Sequence, residues 1–151
     1  MKTVQEWLDQ YGESHRNPTN KLIHWICIPA IVVSLLGLLA SIPTPWSIPH
    51  VNPATILLAF AVGFYSLLSM RLMVGMVVVS SACYAVALAL GGLSIPLWIT
   101  SLVIFAVAWV FQFIGHKIEG KKPSFFVDLQ FLLIGPLWLL SFIYKKLGIA
   151  Y

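Results

Sequence analysis

Five long apolar runs divide this 151-residue chain, at 22–41, 53–69, 72–91, 95–115 and 125–144. Each is close to the ~20 residues a helix needs to cross a hydrocarbon layer of roughly 30 Å. Nothing else in the sequence constrains the fold as strongly. Hydrocarbon offers backbone N–H and C=O groups no water, so a crossing segment must satisfy them internally, as a helix does. The expectation is an all-α, polytopic membrane helix bundle, one domain over residues 1–151.

Composition points the same way. Hydrophobic residues make up 60% of the chain and charged residues 9%, with a mean hydropathy of +0.92; a soluble domain carries roughly a quarter charged residues. Residues 1–21 hold Glu6, Asp9, Glu13, Arg16 and Lys21, which is not the pattern of a cleavable signal peptide. Val4, Trp7, Leu8 and Tyr11 give that stretch an apolar face, and an amphipathic N-terminal helix on the membrane surface is expected. Cys27 and Cys83 fall inside apolar runs without a C-x-x-C pattern, so neither a disulfide framework nor a thiolate metal site is indicated.

Charge orients the spans. The segments 42–52 (IPTPWSIPHVN) and 91–94 carry no formal charge, whereas Arg71, Lys117, Lys121 and Lys122 lie in the intervening turns. Lys and Arg favour the cytoplasmic side, which puts the N-terminus there. The basic excess is thus a topological signal; no basic stripe interleaved with aromatics suggests nucleic acid. The membrane expected is a bacterial inner membrane, or the endoplasmic reticulum in a eukaryote. The last segment contains Asp128, Gln130 and Gly135-Pro136, and a fifth full crossing would strand Lys145 and Lys146 on the far side. Four crossings and a last segment broken at Gly135-Pro136 is the preferred reading, five full crossings the alternative.

The four histidines sort unevenly over this topology. His15, His24 and His116 gather at the cytoplasmic face, and His50 lies in the outer loop. Asn17-Pro18 reads as a helix start. Asn17, Asn20 and His24 then share a helical face, as do Gln112, His116 and Glu119. A lone interfacial histidine is ordinarily the wet end of an amphipathic helix. Three on one side, two of them a turn from an amide, raise the possibility of a metal site in which the amides orient the imidazoles. Imidazoles with an oxygen donor suit iron, zinc or copper, and a histidine–carboxylate set with open positions suits non-haem iron and O₂. Asp128 is held as a reserve ligand.

The motif Tyr11-x-x-x-His15-x-Asn17-x-x-Asn20-x-x-Ile23-His24, with Ile28-Pro29 after it, resembles the N-terminal signature of the 2-hydroxy fatty acid dioxygenases, small membrane proteins of fatty-acid α-oxidation. A second motif matches as well: Gln112-Phe-Ile-Gly115-His116, then Glu119, Pro123 and Gly135-Pro136. The resemblance runs from about Tyr11 to Leu140. Ser124 stands where an alanine is expected, and Ser141 and Tyr144 occupy a stretch where an acid is expected. The resemblance implies an Fe²⁺ enzyme that uses O₂ to shorten a long-chain 2-hydroxy fatty acid by one carbon. It implies His15, His24 and His116 as metal ligands and Glu119 as a fourth ligand or an orienting group. Asn17, Asn20 and Gln112 would supply supporting hydrogen bonds, and Lys121 and Lys122 would attract the substrate carboxylate. Two other readings stay open: a haem-binding membrane redox protein with His24 and His116 as axial ligands, and a non-catalytic membrane scaffold.

Overall fold

The computed structural model describes residues 2–46, 48–120 and 131–151. Among them it contains six helices and no strand: α1 Val4–Gly12, α2 Pro18–Ala40, α3 Pro53–Leu68, α4 Met70–Leu90, α5 Leu97–Ile118 and α6 Ile134–Lys146. The starts are written in the local sequence. Thr3 and Glu6 form a reciprocal capping box at α1. Asn17 accepts from the N–H groups of Thr19 and Asn20 ahead of Pro18, and Asn52 accepts from Ala54 and Thr55 ahead of Pro53. Each side-chain oxygen satisfies N–H groups that have no partner within the helix.

The helices α2, α4 and α5 are long and apolar enough to cross a membrane; α3, with 16 residues, is shorter. Their outward faces carry Ile26, Phe60, Val78 and Val103, each more than half exposed. Apolar surface on this scale is what a lipid-embedded protein presents and a soluble monomer rarely does.

Helix α2 runs through the centre and packs on α5 where small residues allow close approach. Gly37 lies against Ser101 at one end and Gly115 against Asn20 at the other; a Cβ at either glycine would collide with its neighbour. Small residues at such crossings let membrane helices approach closely. Leu36, Ala54 and Ala87 form one cluster, so the end of α2, the start of α3 and the end of α4 meet at one pole of the bundle. At the other pole Glu119 bonds the joint before α2. There too the Arg71 guanidinium donates to the Ala150 carbonyl and the Tyr144 hydroxyl to the Arg71 carbonyl. The described Lys and Arg residues therefore occupy elements at this second pole, with 41–52 and 91–96 at the first.

One feature differs from the sequence reading. Helix α1 does not lie with its apolar face on lipid: Leu8 and Tyr11 are buried in a cluster with Leu137 and Trp138 of α6, because an apolar stripe gains more from a fitted partner surface. Gly135-Pro136 falls at the start of a helix, as expected of a break in the last segment. Both residues sit in the first turn of α6, where a proline disrupts no intrahelical hydrogen bond. The hydroxyl of Tyr65, on α3, donates to the Leu133 carbonyl just ahead of that turn at 2.8 Å. At 13 residues and about 20 Å, α6 starts within the bundle and runs outward to the Arg71 pole. Residues 121–130, with Lys121, Lys122 and Asp128, lie outside the described residues.

Candidate metal centre

The joint between α1 and α2 delivers His15, the second turn of α2 delivers His24, and the last turn of α5 delivers His116. All three are buried, at 3%, 0% and 5% exposure. Their ring centroids are 4.1 Å (His15–His24), 5.0 Å (His24–His116) and 5.4 Å (His15–His116) apart, and one ligand nitrogen from each lies within 4.8 Å of the others. Three nitrogens about 2.1 Å from one metal sit roughly 3.4–3.6 Å apart, so the set closes on an ion when each ring nitrogen moves inward by about 0.7 Å.

Local backbone fixes the tautomers. His15 Nδ1 is 2.6 Å from the Tyr11 carbonyl and His24 Nδ1 is 2.9 Å from the Asn20 carbonyl, each four residues earlier. A carbonyl only accepts, so both Nδ1 atoms carry the proton and the lone pairs sit on Nε2, as metal ligation requires. His15 Nε2 is buried and has no hydrogen-bond partner among the described residues. A polar atom in that position is costly unless something binds it. Burial holds the His15 pKa down, to about 4, against the opposing pull of the Tyr11 carbonyl; the ring is neutral near pH 7. Tyr11 stacks on it at 4.2 Å and 12°, and Trp138 stands 5.2 Å away.

Glu119 has a different place. It caps the end of α5, and its Oε1 accepts from the Arg16 N–H at 2.8 Å while Oε2 accepts from the Asn17 N–H at 2.9 Å and from Asn20 Nδ2 at 3.0 Å. Burial pushes its pKa up, but the Asn17, Asn20 and Arg16 donors outweigh it and leave the carboxyl below its usual value. The carboxylate clamps the His15 joint and the start of α2 to α5, and it also meets the positive end of the α2 dipole. Asn20 is wholly buried. Its Nδ2 also donates to the Ser14 carbonyl at 3.0 Å, so one amide ties together joint, α2 and α5. Gly115 is the neighbour that makes room for its Oδ1.

The structure thus brings His15, His24 and His116 together, with Asn20 and the Asn17 N–H on the clamp and Glu119's oxygens committed to it. Gln112 is buried one turn before His116 and lines a small cavity with Tyr11 and Gly135. His50 sits at the opposite pole with φ 63°, distant from the cluster. Sequence reasoning missed Tyr11 and Trp138 as walls of the site. Tyr11 carried a signal, four residues before His15 within the motif; Trp138 carried none.

A family model described as 2-hydroxy-palmitic acid dioxygenase Mpo1-like matches residues 1–147. The chain is 30% identical over 150 residues to the 2-hydroxy-palmitic acid dioxygenase MPO1 of Saccharomyces cerevisiae, covering 96% of this chain and 82% of that one. No solved structure matches. The chain belongs to the Mpo1-like family.

Proposed function

We propose, with membership of this family as the premise, that the protein is an Fe²⁺-dependent dioxygenase of the membrane. It would use O₂ to shorten a long-chain 2-hydroxy fatty acid by one carbon at the cytoplasmic face. The observation that carries the reading is the buried trio His15, His24 and His116, with nitrogens within 4.8 Å and Nδ1 atoms of two rings tied to backbone carbonyls. Iron held by these rings would supply the O₂ chemistry, leaving positions open for substrate.

The chain's own residues do the rest. The Tyr11 and Asn20 carbonyls hold two imidazoles in the ligating tautomer. The stacked Tyr11 ring and Trp138 shield His15 from water. The Glu119–Asn20 clamp keeps His15, which lies outside any helix, in register with the two helical histidines. Lys121 and Lys122 are assigned to the substrate carboxylate, and Arg16 and Lys145, which line a polar cleft beside α1 and α6, add cations at the pole of the histidines. The haem alternative fits less well, because His15 crowds the space beside both His24 and His116.

The test is anaerobic reconstitution of purified protein with iron(II), followed by elemental analysis and assay of 2-hydroxypalmitate turnover. Stoichiometric iron, no Soret band and a product one carbon shorter are expected. His15→Ala, His24→Ala and His116→Ala should each lose both iron and turnover, while His50→Ala keeps both. Equal loss from His50→Ala, or wild-type protein that holds no iron, would sink the proposal.

A further inference from the structure

A second apolar cavity, not used by the metal chemistry, opens between α2, α3, α4 and α6 with a volume of about 170 Å³. Its walls are almost wholly hydrocarbon. They run from Trp25 and Ile143, 39% and 42% exposed, to the buried Leu36 and the half-buried Leu57 and Cys83 toward the apolar pole. It shares Ile28, Val32, Leu132 and Pro136 with the small cavity that Tyr11 and Gln112 line beside the histidines. These four residues wall both spaces; the small one reaches Tyr11, whose ring stacks on His15, and the large one reaches the apolar pole.

Depth follows from α2, which borders both. From His24 to Leu36 is twelve residues, or about 18 Å at 1.5 Å per residue. One leaflet of lipid tails spans roughly 15 Å, half of a ~30 Å hydrocarbon core. A cavity of that reach, apolar along its length and open sideways beside Trp25, matches one extended long acyl tail drawn from the bilayer. Leu36, 1% exposed, packs with Cys83 and Leu58 in the cluster that closes the far pole, so the space has a floor.

We infer that this cavity holds the hydrocarbon tail of the substrate, and that Leu36 and Cys83 at its floor set the longest chain accommodated. The inference rests on the proposed function for the identity of the head group but not for the tail. Metal-free protein in lipid nanodiscs is photolabelled with palmitate bearing a diazirine at its terminal carbon, and the labelled residues are read by mass spectrometry. Labelling is expected near Leu36 and Cys83, protected by excess palmitate and not by octanoate. Each buried methylene is worth about fourfold in affinity. A Cys83→Trp side chain that displaces two or more should cut protected labelling more than tenfold, while Val78→Trp on the lipid face of the same helix should not. Leu57→Ala, which opens the far wall, should shift protection toward longer acids and decides the matter if the tryptophan variant fails to fold. Labelling confined to lipid-facing residues such as Val103, or unprotected by palmitate, overturns the inference. Failure of the wild type to turn over 2-hydroxypalmitate would overturn the proposed function and leave the tail result standing.

Discussion

Replacing Glu119 with glutamine probes the clamp more sharply than removing a ligand does. The carboxylate accepts one N–H on Oε1 and two on Oε2. A glutamine amide keeps one acceptor oxygen and turns its NH₂ group toward the other donors. Either Arg16 N–H, or the Asn17 N–H together with Asn20 Nδ2, then loses its acceptor. Hydrogen bonds to charged groups contribute about 1.5–3 kcal/mol each. Glu119 is half-buried, so water replaces part of the loss, and we expect a net cost of about 1–2 kcal/mol. That energy holds His15 in place, so it passes into metal affinity, where 1.4 kcal/mol is tenfold. The expected result is an iron(II) affinity roughly five- to thirty-fold weaker, measured anaerobically by competition with a calibrated chelator. Lys117, two residues away and exposed, supplies the control, and Lys117→Gln should change nothing. Equal effects of the two substitutions would refute the clamp. Complete loss of metal from Glu119→Gln, on a scale matching His116→Ala, would refute it differently, by making Glu119 a ligand.

Cysteines introduced at Thr44 and Lys146, after replacement of Cys27 and Cys83 by alanine, should label from opposite sides of the membrane; labelling from one side would overturn the placement of the poles. Metal-free protein should lose stability as pH falls from about 6.5 toward 4. His15 titrates at about 4 when folded, against an ordinary 6.5, so the unfolded chain binds more protons across that window. Thermal unfolding of His15→Gln should show a shallower pH slope, and an unchanged slope would mean that the buried ring is not responsible. Gly115→Ala drives a methyl into Asn20 Oδ1 and should lower both melting temperature and iron affinity. Gly63→Ala, with open space around its Cβ, should be neutral in the same assays.

What the sequence disclosed and what it hid have a common physical cause. Helix starts were legible because capping is local: Asn17-Pro18 and Asn52-Pro53 each carry the acceptor and the proline within two residues. The spans were legible because lipid imposes a length on apolar runs. His15, His24 and His116 could be grouped because topology alone brings the ends of α2 and α5 to one pole. Glu119 shows where this reasoning stops. Helical spacing put it on the face of Gln112 and His116, which was compatible with ligating a metal. Spacing carries no information about Arg16 and Asn17, whose N–H groups approach from about a hundred residues away and take both oxygens. The docking of Tyr11 against α6 stayed hidden for a related reason. An apolar stripe on a short helix reads alike whether it faces lipid or α6, and the partner that settles it, Trp138, lies far off in sequence.

The placement of His15 then explains why so much side-chain bonding converges on residues 13–17. Helices α2 and α5 satisfy their own backbones and would keep His24 and His116 near the same depth with little help. The joint has no such internal order. Its Arg16 and Asn17 N–H groups and Ser14 carbonyl reach across to Glu119 and Asn20, and its histidine is pinned by the Tyr11 carbonyl below and the Tyr11 ring alongside. Tyr11 in turn is seated only when α1 docks on α6. The third ligand therefore exists as a ligand only when α1, α2, α5 and α6 are all assembled, so a bound metal should stabilise the contact of α1 with α6 as well as the histidines themselves. Because α6 also walls the tail cavity through Pro136, Leu139 and Ile143, one short helix joins the two halves of the proposed substrate site.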